Sequence, residues 1–185
     1  MDAPLRHSGR VTIGTVVLLP PAQLPGAWVE AWPTRRELAA ELMAYGVNVY
    51  VVPQAPPVDQ GLDLRTATAH WVAHNAMALT ADQPERPILL VAFGAAGALM
   101  QALGFSQKAS RRPVAGYVVV DGALPKAGAG DWPDAPITYI STSTADDLAA
   151  TAQAARDTLH QAELRGWTTA ATTDPGIVIR NMVDG

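Results

Sequence analysis

Ile88-Leu89-Leu90-Val91-Ala92-Phe93-Gly94-Ala95-Ala96-Gly97 is the stretch that decides how this chain folds. The apolar run is continuous rather than alternating, the pattern of a strand covered on both faces and hence of a parallel sheet flanked by helices. Gly94 and Gly97 then turn the chain sharply into a helix expected to end near Gly104. A strand, a glycine turn and a helix in that order present a chemical group at the turn, or cradle one.

The same alternation continues outward in both directions. Val11 to Leu19 is dense in β-branched and aliphatic residues and predicts a central strand, stopped at Pro20-Pro21. Thr34 with Glu37 forms a capping box behind Pro33, and the helix it opens runs through Leu38, Leu42 and Tyr45 to Gly46. Val47 to Val52 is a second buried strand, and Pro53, Pro56 and Pro57 hold an extended loop before a helix over about Leu64 to Leu79. After the Ile88 strand come Val114 to Val120 and Ile137 to Ser141. Thr144 with Asp147 opens a long helix through Leu148, Leu159 and Leu164, closed by Gly166. Trp167 to Thr172 is a short last strand, and Asp174-Pro175 caps a terminal helix. The connection from Asp121 to Pro136 is rich in Gly and Pro, barely long enough for a parallel crossover, and carries no helical pattern.

Strands alternating with helices predict an α/β, doubly wound three-layer sandwich. Right-handed crossovers make 2-1-3-4-5-6 the simplest order for a mostly parallel six-stranded sheet. In such a sheet ligands bind outside the carboxyl ends of the strands where the order reverses, here between the first and third. Those ends are Leu19-Pro20-Pro21 and Phe93-Gly94-Ala95.

Composition narrows the classes. At 185 residues and 49% hydrophobic, the chain forms one domain over residues 1–185, with residues 1–10 expected to be a flexible N-terminus. A net charge of −4 and no basic run longer than the pairs Arg35-Arg36 and Arg111-Arg112 leave no footprint for nucleic acid. The longest apolar run, Ile88 to Met100, falls short of the about 20 residues that span a bilayer, and the first ten residues lack a signal-peptide core. A cytoplasmic protein without membrane partners is the expectation. Without cysteine there is no disulfide framework, thiolate nucleophile or Cys-ligated zinc.

Over residues 11 to 174 the order of features resembles the core of the α/β-hydrolase family. Val16-Val-Leu-Leu-Pro-Pro21 resembles the strand that ends in the His-Gly oxyanion loop, and Gly46-Val-Asn-Val-Tyr-Val-Val-Pro53 the strand after it. Ala92-Phe93-Gly94-Ala95-Ala96 matches the nucleophile elbow, and Val114 to Gly122 the next strand. The resemblance implies a hydrolase-like core without a cap domain, since only the connection to Pro136 follows the fourth strand.

The departures from the family concern chemistry more than shape. Gly94 stands where Ser, Cys or Asp should be, so no acyl-enzyme can form there. Pro20-Pro21 replaces His-Gly, and proline has no N–H to donate, which leaves the amides of Ala22 and Ala95 as the oxyanion donors. Asp146 matches the family's acid position, Asp174 or a neighbour stands at its histidine position, and no His follows His160. The Ser-His-Asp triad is therefore incomplete in this register.

Other residues carry competing readings. His70 and His74, four apart on one helix face, have a spacing that zinc sites use, against a solvent-facing or sheet-packing pair. No third ligand accompanies them, and no metal or cofactor is expected. Gly94-x-x-Gly97 matches neither a dinucleotide fingerprint nor a P-loop, and close helix–strand packing is its simpler use. Trp28, Trp32 and Trp132 fall in loops at the carboxyl edge of the sheet, where with Phe93 they line an apolar pocket or merely pack the loops. Asp121, directly after the fourth strand, is the best-placed carboxylate for a general base, or else caps backbone amides of its own loop.

These residues lead to a protein that binds an apolar acyl or polyketide-like small molecule without nucleophilic hydrolysis. Any catalysis would be non-covalent, a cyclisation, elimination or isomerisation resting on positioning, the Ala95 amide beside Gly94 and a carboxylate such as Asp121. Pro20, Pro21, Ala22, Trp28, Trp32, Phe93 and Trp132 are the expected lining. Two other readings stay open. One is a catalytically silent protein whose uncapped crevice is closed by a second copy or a partner enzyme. The other is a hydrolase using Ser141 or Ser143 with His70 or His74 as base.

Overall fold

Six strands lie side by side in the order β2-β1-β3-β4-β5-β6, each pair parallel, in a computed structural model. It describes residues 12–23, 35–56, 62–125, 132, 135–143 and 149–185. The strands are β1 (Thr15–Leu18), β2 (Val49–Val51), β3 (Ile88–Phe93), β4 (Gly116–Val120), β5 (Ile137–Ser141) and β6 (Thr168–Ala171). The helices are α1 (Arg35–Ala44), α2 (Leu64–Asp82), α3 (Met100–Ala109), α4 (Ala149–Leu164) and α5 (Pro175–Asp184), with a 3-10 segment, Gly94–Leu99, leading into α3. Both the order and the three-layer arrangement are those expected from the alternation of strands and helices.

The period-two alternation of strand side chains divides the interior into two cores. Val16, Leu18, Leu89, Val91, Phe93, Val118, Val120 and Ile140 face α1 and α5, joined by Leu38, Leu42 and Ile179. Val17, Leu19, Leu90, Ala92, Tyr117, Val119 and Tyr139 face the other way, against Trp71 and Leu79 of α2, Met100 and Leu103 of α3 and Ala162 of α4. The central strands β1, β3, β4 and β5 are buried along their whole length, which accounts for the continuous apolar sequences of β3 and β4, while Thr15 of β1 and Thr138 and Ser141 of β5 are buried polar residues.

Several element ends differ from the expectation, each for a local reason. β1 begins at Thr15 rather than Val11: Gly14 donates to the Pro87 carbonyl, and a Cβ there would lie 2.6 Å from the Arg86 carbonyl oxygen. Val47 closes α1 by donating to the Leu42 carbonyl behind the left-handed Gly46, so β2 starts later, at Val49. Gly104 does not end α3 but sits inside it, because a Cβ there would lie 2.2 Å from the Tyr117 hydroxyl. α2 likewise runs past Leu79 to Asp82, where Gln83 turns left-handed. Asp63 caps α2 through the Thr66 amide, and Asp174 caps α5 through the Ile177 amide with Pro175 behind it, as its Asp-Pro pair predicts. Thr34 of the first capping pair, both members of the pair at Thr144, the N-terminal ten residues and Asp146 lie outside the described residues. No described helix is long and apolar enough to cross a membrane.

Candidate functional site

The turn after β3 has the backbone of an elbow and no reactive side chain. Gly94 follows Phe93 directly, has φ of +54° and is buried, and the chain leaves it into the 3-10 segment. An L-residue in left-handed backbone costs about 1 kcal/mol, a strain that elbow nucleophiles bear and glycine avoids. The end of β4 backs the turn closely: Ala123 donates its amide to the Gly94 carbonyl at 3.0 Å. A Cβ on Gly97 would come within 3.0 Å of the Ala123 carbonyl oxygen and 2.8 Å of Val119, so this glycine serves close packing. Ala95 is half-buried beside it.

The prolines after β1 take a different part. Pro20 is buried, and its carbonyl accepts the indole N–H of Trp71 at 3.0 Å. Ala22 is buried in the core under α2, α3 and α4, while Pro21 is exposed. Pro21 and Gln23 form one wall of a cavity of about 370 Å³, within the range of small-molecule sites. Ala55 and Pro56, after β2, form a second wall, and α2 supplies the floor with Ala67, His70, Trp71, Ala73, His74 and Met77. The concavity therefore lies at the end of β1 but toward β2 and α2, not between β1 and β3 where the crevice rule puts it; Phe93, Gly94 and Ala95 are not in its lining. Phe93 packs on the opposite face of the sheet, in the core with α1 and α5.

His74 holds one polar position in this cavity, its Nε2 lying 2.7 Å from the Pro53 carbonyl oxygen. Among the described residues no group of three His, Cys, Asp or Glu side chains is placed to hold a metal ion. In the sequence Trp71 and His74 are legible only as helix residues and as half of a zinc-like spacing; their shared cavity requires the loop after β2 to fold over α2.

The remaining expected site residues lie elsewhere. Asp121 has left-handed backbone, φ +44°, and its carboxylate accepts the Thr142 amide at 2.8 Å and the Thr142 hydroxyl. It clamps the end of β4 to the end of β5 rather than capping its own loop. Burial first, and the Asp121 charge second, raise the pKa of neighbouring Tyr139. Trp132 stacks edge-on against Tyr117 and Trp167, with ring centroids 5.1 and 5.3 Å away. Its ring belongs to an aromatic cluster on the core of α3 and α4 and is not in the lining of this cavity. Trp28 and Trp32 lie outside the described residues.

Two charged features have no counterpart in the sequence reading. Arg35, the first residue of α1, donates Nη1 to the carbonyls of Leu18 and Val52 at 3.3 and 2.6 Å, across the ends of β1 and β2, and burial lowers its pKa. After β6, Asp174 lies against Glu41 of α1. Burial raises the Glu41 pKa, Asp174 raises it further by repulsion and a shared hydrogen bond, and Arg180 opposes both. Neither feature has a distinctive local pattern, because each depends on α1 meeting a distant element, the ends of β1 and β2 for Arg35 and the start of α5 for Glu41.

No family model matches the sequence, and no curated protein aligns with it. Among solved structures, the chain is similar to a "putative carboxylesterase" from Lactobacillus plantarum WCFS1, at 14% identity and a TM-score of 0.49, over 93% of this chain and 78% of that one. It is also similar to MGS-M1, an α/β hydrolase enzyme from a Medee basin deep-sea metagenome library, at 12% identity and a TM-score of 0.42, over 92% of this chain and 72% of that one.

Proposed function

We propose that this chain, an α/β-hydrolase-like sandwich by its sheet order and its elbow turn, binds an apolar small molecule without cleaving it through a covalent intermediate. The observation that carries this reading is Gly94, a left-handed residue at the end of β3 whose side chain is a hydrogen atom. Without an oxygen or sulfur there, no acyl-enzyme forms at the elbow. The position after β6 is consistent with this: Asp174 caps α5 and lies against Glu41, and no histidine stands beyond His160.

The ligand site is the cavity between the loops after β1 and β2 and helix α2. Its walls are mainly Pro, Ala, Trp71 and Met77, which suits an acyl or polyketide-like body. Met77 is 71% exposed at its mouth, an apolar surface that a bound ligand would cover. Any chemistry in such a site proceeds by positioning and proton transfer.

A relocated serine fits less well. Ser141 is buried at the end of β5, and β3 and β4 stand between β5 and β1. Three strand spacings of about 4.8 Å put it about 14 Å from the side of the sheet where His70 and His74 lie, beyond hydrogen-bond reach.

The test is a calorimetric titration with 2-methoxynaphthalene. Wild-type protein is expected to bind it, and Ala73→Trp, which fills the cavity from an exposed helix position, to lose binding while keeping its thermal stability. Equal binding by a folded Ala73→Trp protein would place the ligand elsewhere and contradict the assignment.

A further inference from the structure

The cavity has one polar group whose hydrogen-bonding role is fixed by its partner, and the selectivity this group confers rests on the ligand-binding function proposed for the cavity. A carbonyl oxygen has no proton to give, so the 2.7 Å contact between His74 and Pro53 requires the proton on His74 Nε2. In the neutral imidazole the other nitrogen, Nδ1, is then an acceptor. The Pro53 carbonyl orients the ring and selects its tautomer.

The neighbouring donor is already committed. Trp71 has a single N–H, and it is spent on the Pro20 carbonyl. Pro21 and Pro56, on the facing walls, have no N–H, and the other polar side chains of the lining are Gln23 and His70. We infer that the cavity favours ligands with an apolar body and a hydroxyl group, an alcohol or phenol whose O–H donates to His74 Nδ1, over the matching ether, which cannot make that bond. The selectivity is that of one hydrogen bond in an apolar chamber, where a hydroxyl left without a partner loses binding.

Paired ligands test this: 2-naphthol and 2-methoxynaphthalene share a body, and only the first can donate. Wild-type protein is expected to prefer 2-naphthol by about fivefold, the size of one net hydrogen bond. In His74→Leu the two affinities become equal, and His74→Gln, which restores an acceptor, recovers part of the preference. Independently of any variant, the long-range ¹H–¹⁵N spectrum of the wild type should show His74 protonated at Nε2, with 2-naphthol moving the Nδ1 resonance. A preference that persists in folded His74→Leu, equal affinities in the wild type, or a proton found on Nδ1 would overturn the hydroxyl selectivity. Failure of the wild type to bind either compound would instead overturn the ligand-binding function, and the selectivity with it.

Discussion

The carbonyl oxygen of Gly94 accepts the amide hydrogen of Ala123 at 3.0 Å, so the turn that ends β3 is held by the segment that leaves β4. Gly97 and Gly122 let the two backbones approach this closely. A Cβ on Gly122 would lie 2.3 Å from Val119 and 3.1 Å from the Gly94 carbonyl oxygen. Gly97→Ala is expected to lower stability by about 1–3 kcal/mol, the usual cost of overpacking a tight site. Chemical denaturation of the wild type and variant measures it, and an unchanged midpoint would mean that the turn has room to relax.

Asp121 supports the same end of the sheet through its two contacts with Thr142. Asp121→Ala leaves a half-buried amide and hydroxyl without their acceptor and puts alanine at φ +44°, an expected loss of about 2–3 kcal/mol. Asp121→Asn keeps one acceptor and a residue tolerant of left-handed backbone, and should lose about half as much. Ligand binding at the α2 cavity should survive both changes; a selective loss of binding in a stable Asp121→Asn would give this carboxylate a functional part.

Tyr117 and Gly104 form a complementary pair. The tyrosine hydroxyl is buried without a hydrogen-bond partner, burial pushes its pKa up to about 12, and a Cβ on Gly104 would lie 2.2 Å from it. Gly104→Ala should destabilise the protein by about 1–3 kcal/mol. Tyr117→Phe removes an unpaired polar group and should be neutral or stabilising. The double variant should recover part of the loss, because the closest contact is with the oxygen while ring carbons Cζ and Cε1 remain at 2.9 and 3.0 Å, and a double-mutant cycle by thermal denaturation reads the coupling directly.

Glu41 sets a pH dependence of defined sign. Its folded pKa is raised, by burial and then by Asp174, above the about 4.3 of an unfolded glutamate. The folded state therefore holds this proton more tightly, and the associated stability is present below about pH 4.3 and lost as pH rises through the folded pKa. Glu41→Gln should be more stable than the wild type at pH 7 by about 0.5 kcal/mol, modest because the pair is partly solvated. The difference should shrink on acidification toward pH 4. A stability gap independent of pH would contradict a repulsion between Glu41 and Asp174.

The sheet is readable from sequence because burial on both faces leaves no room for polar residues, and Val16–Leu19, Ile88–Phe93 and Gly116–Val120 each show it. Gly94 is readable as well, since a strand followed by small residues and a helix leaves few turns to choose from. Gly104 reads as a helix stop, wrongly, because its reason is the Tyr117 hydroxyl, on another element. The cavity is legible only in part: the crevice rule points to the end of β1, but His74 acquires its role from Pro53, across a loop whose path no local pattern encodes. Trp132 reads as a rim residue because loop aromatics are ambiguous by sequence, whereas its ring stacks on Tyr117 and Trp167.

The central claim is that no covalent hydrolytic chemistry takes place in this protein, and intact-mass spectrometry after incubation with a fluorophosphonate tests it most directly. The account predicts an unchanged mass for the folded wild type. A stoichiometric adduct that maps to Ser141 or Ser143 would contradict it and make the chain a serine hydrolase with a displaced nucleophile.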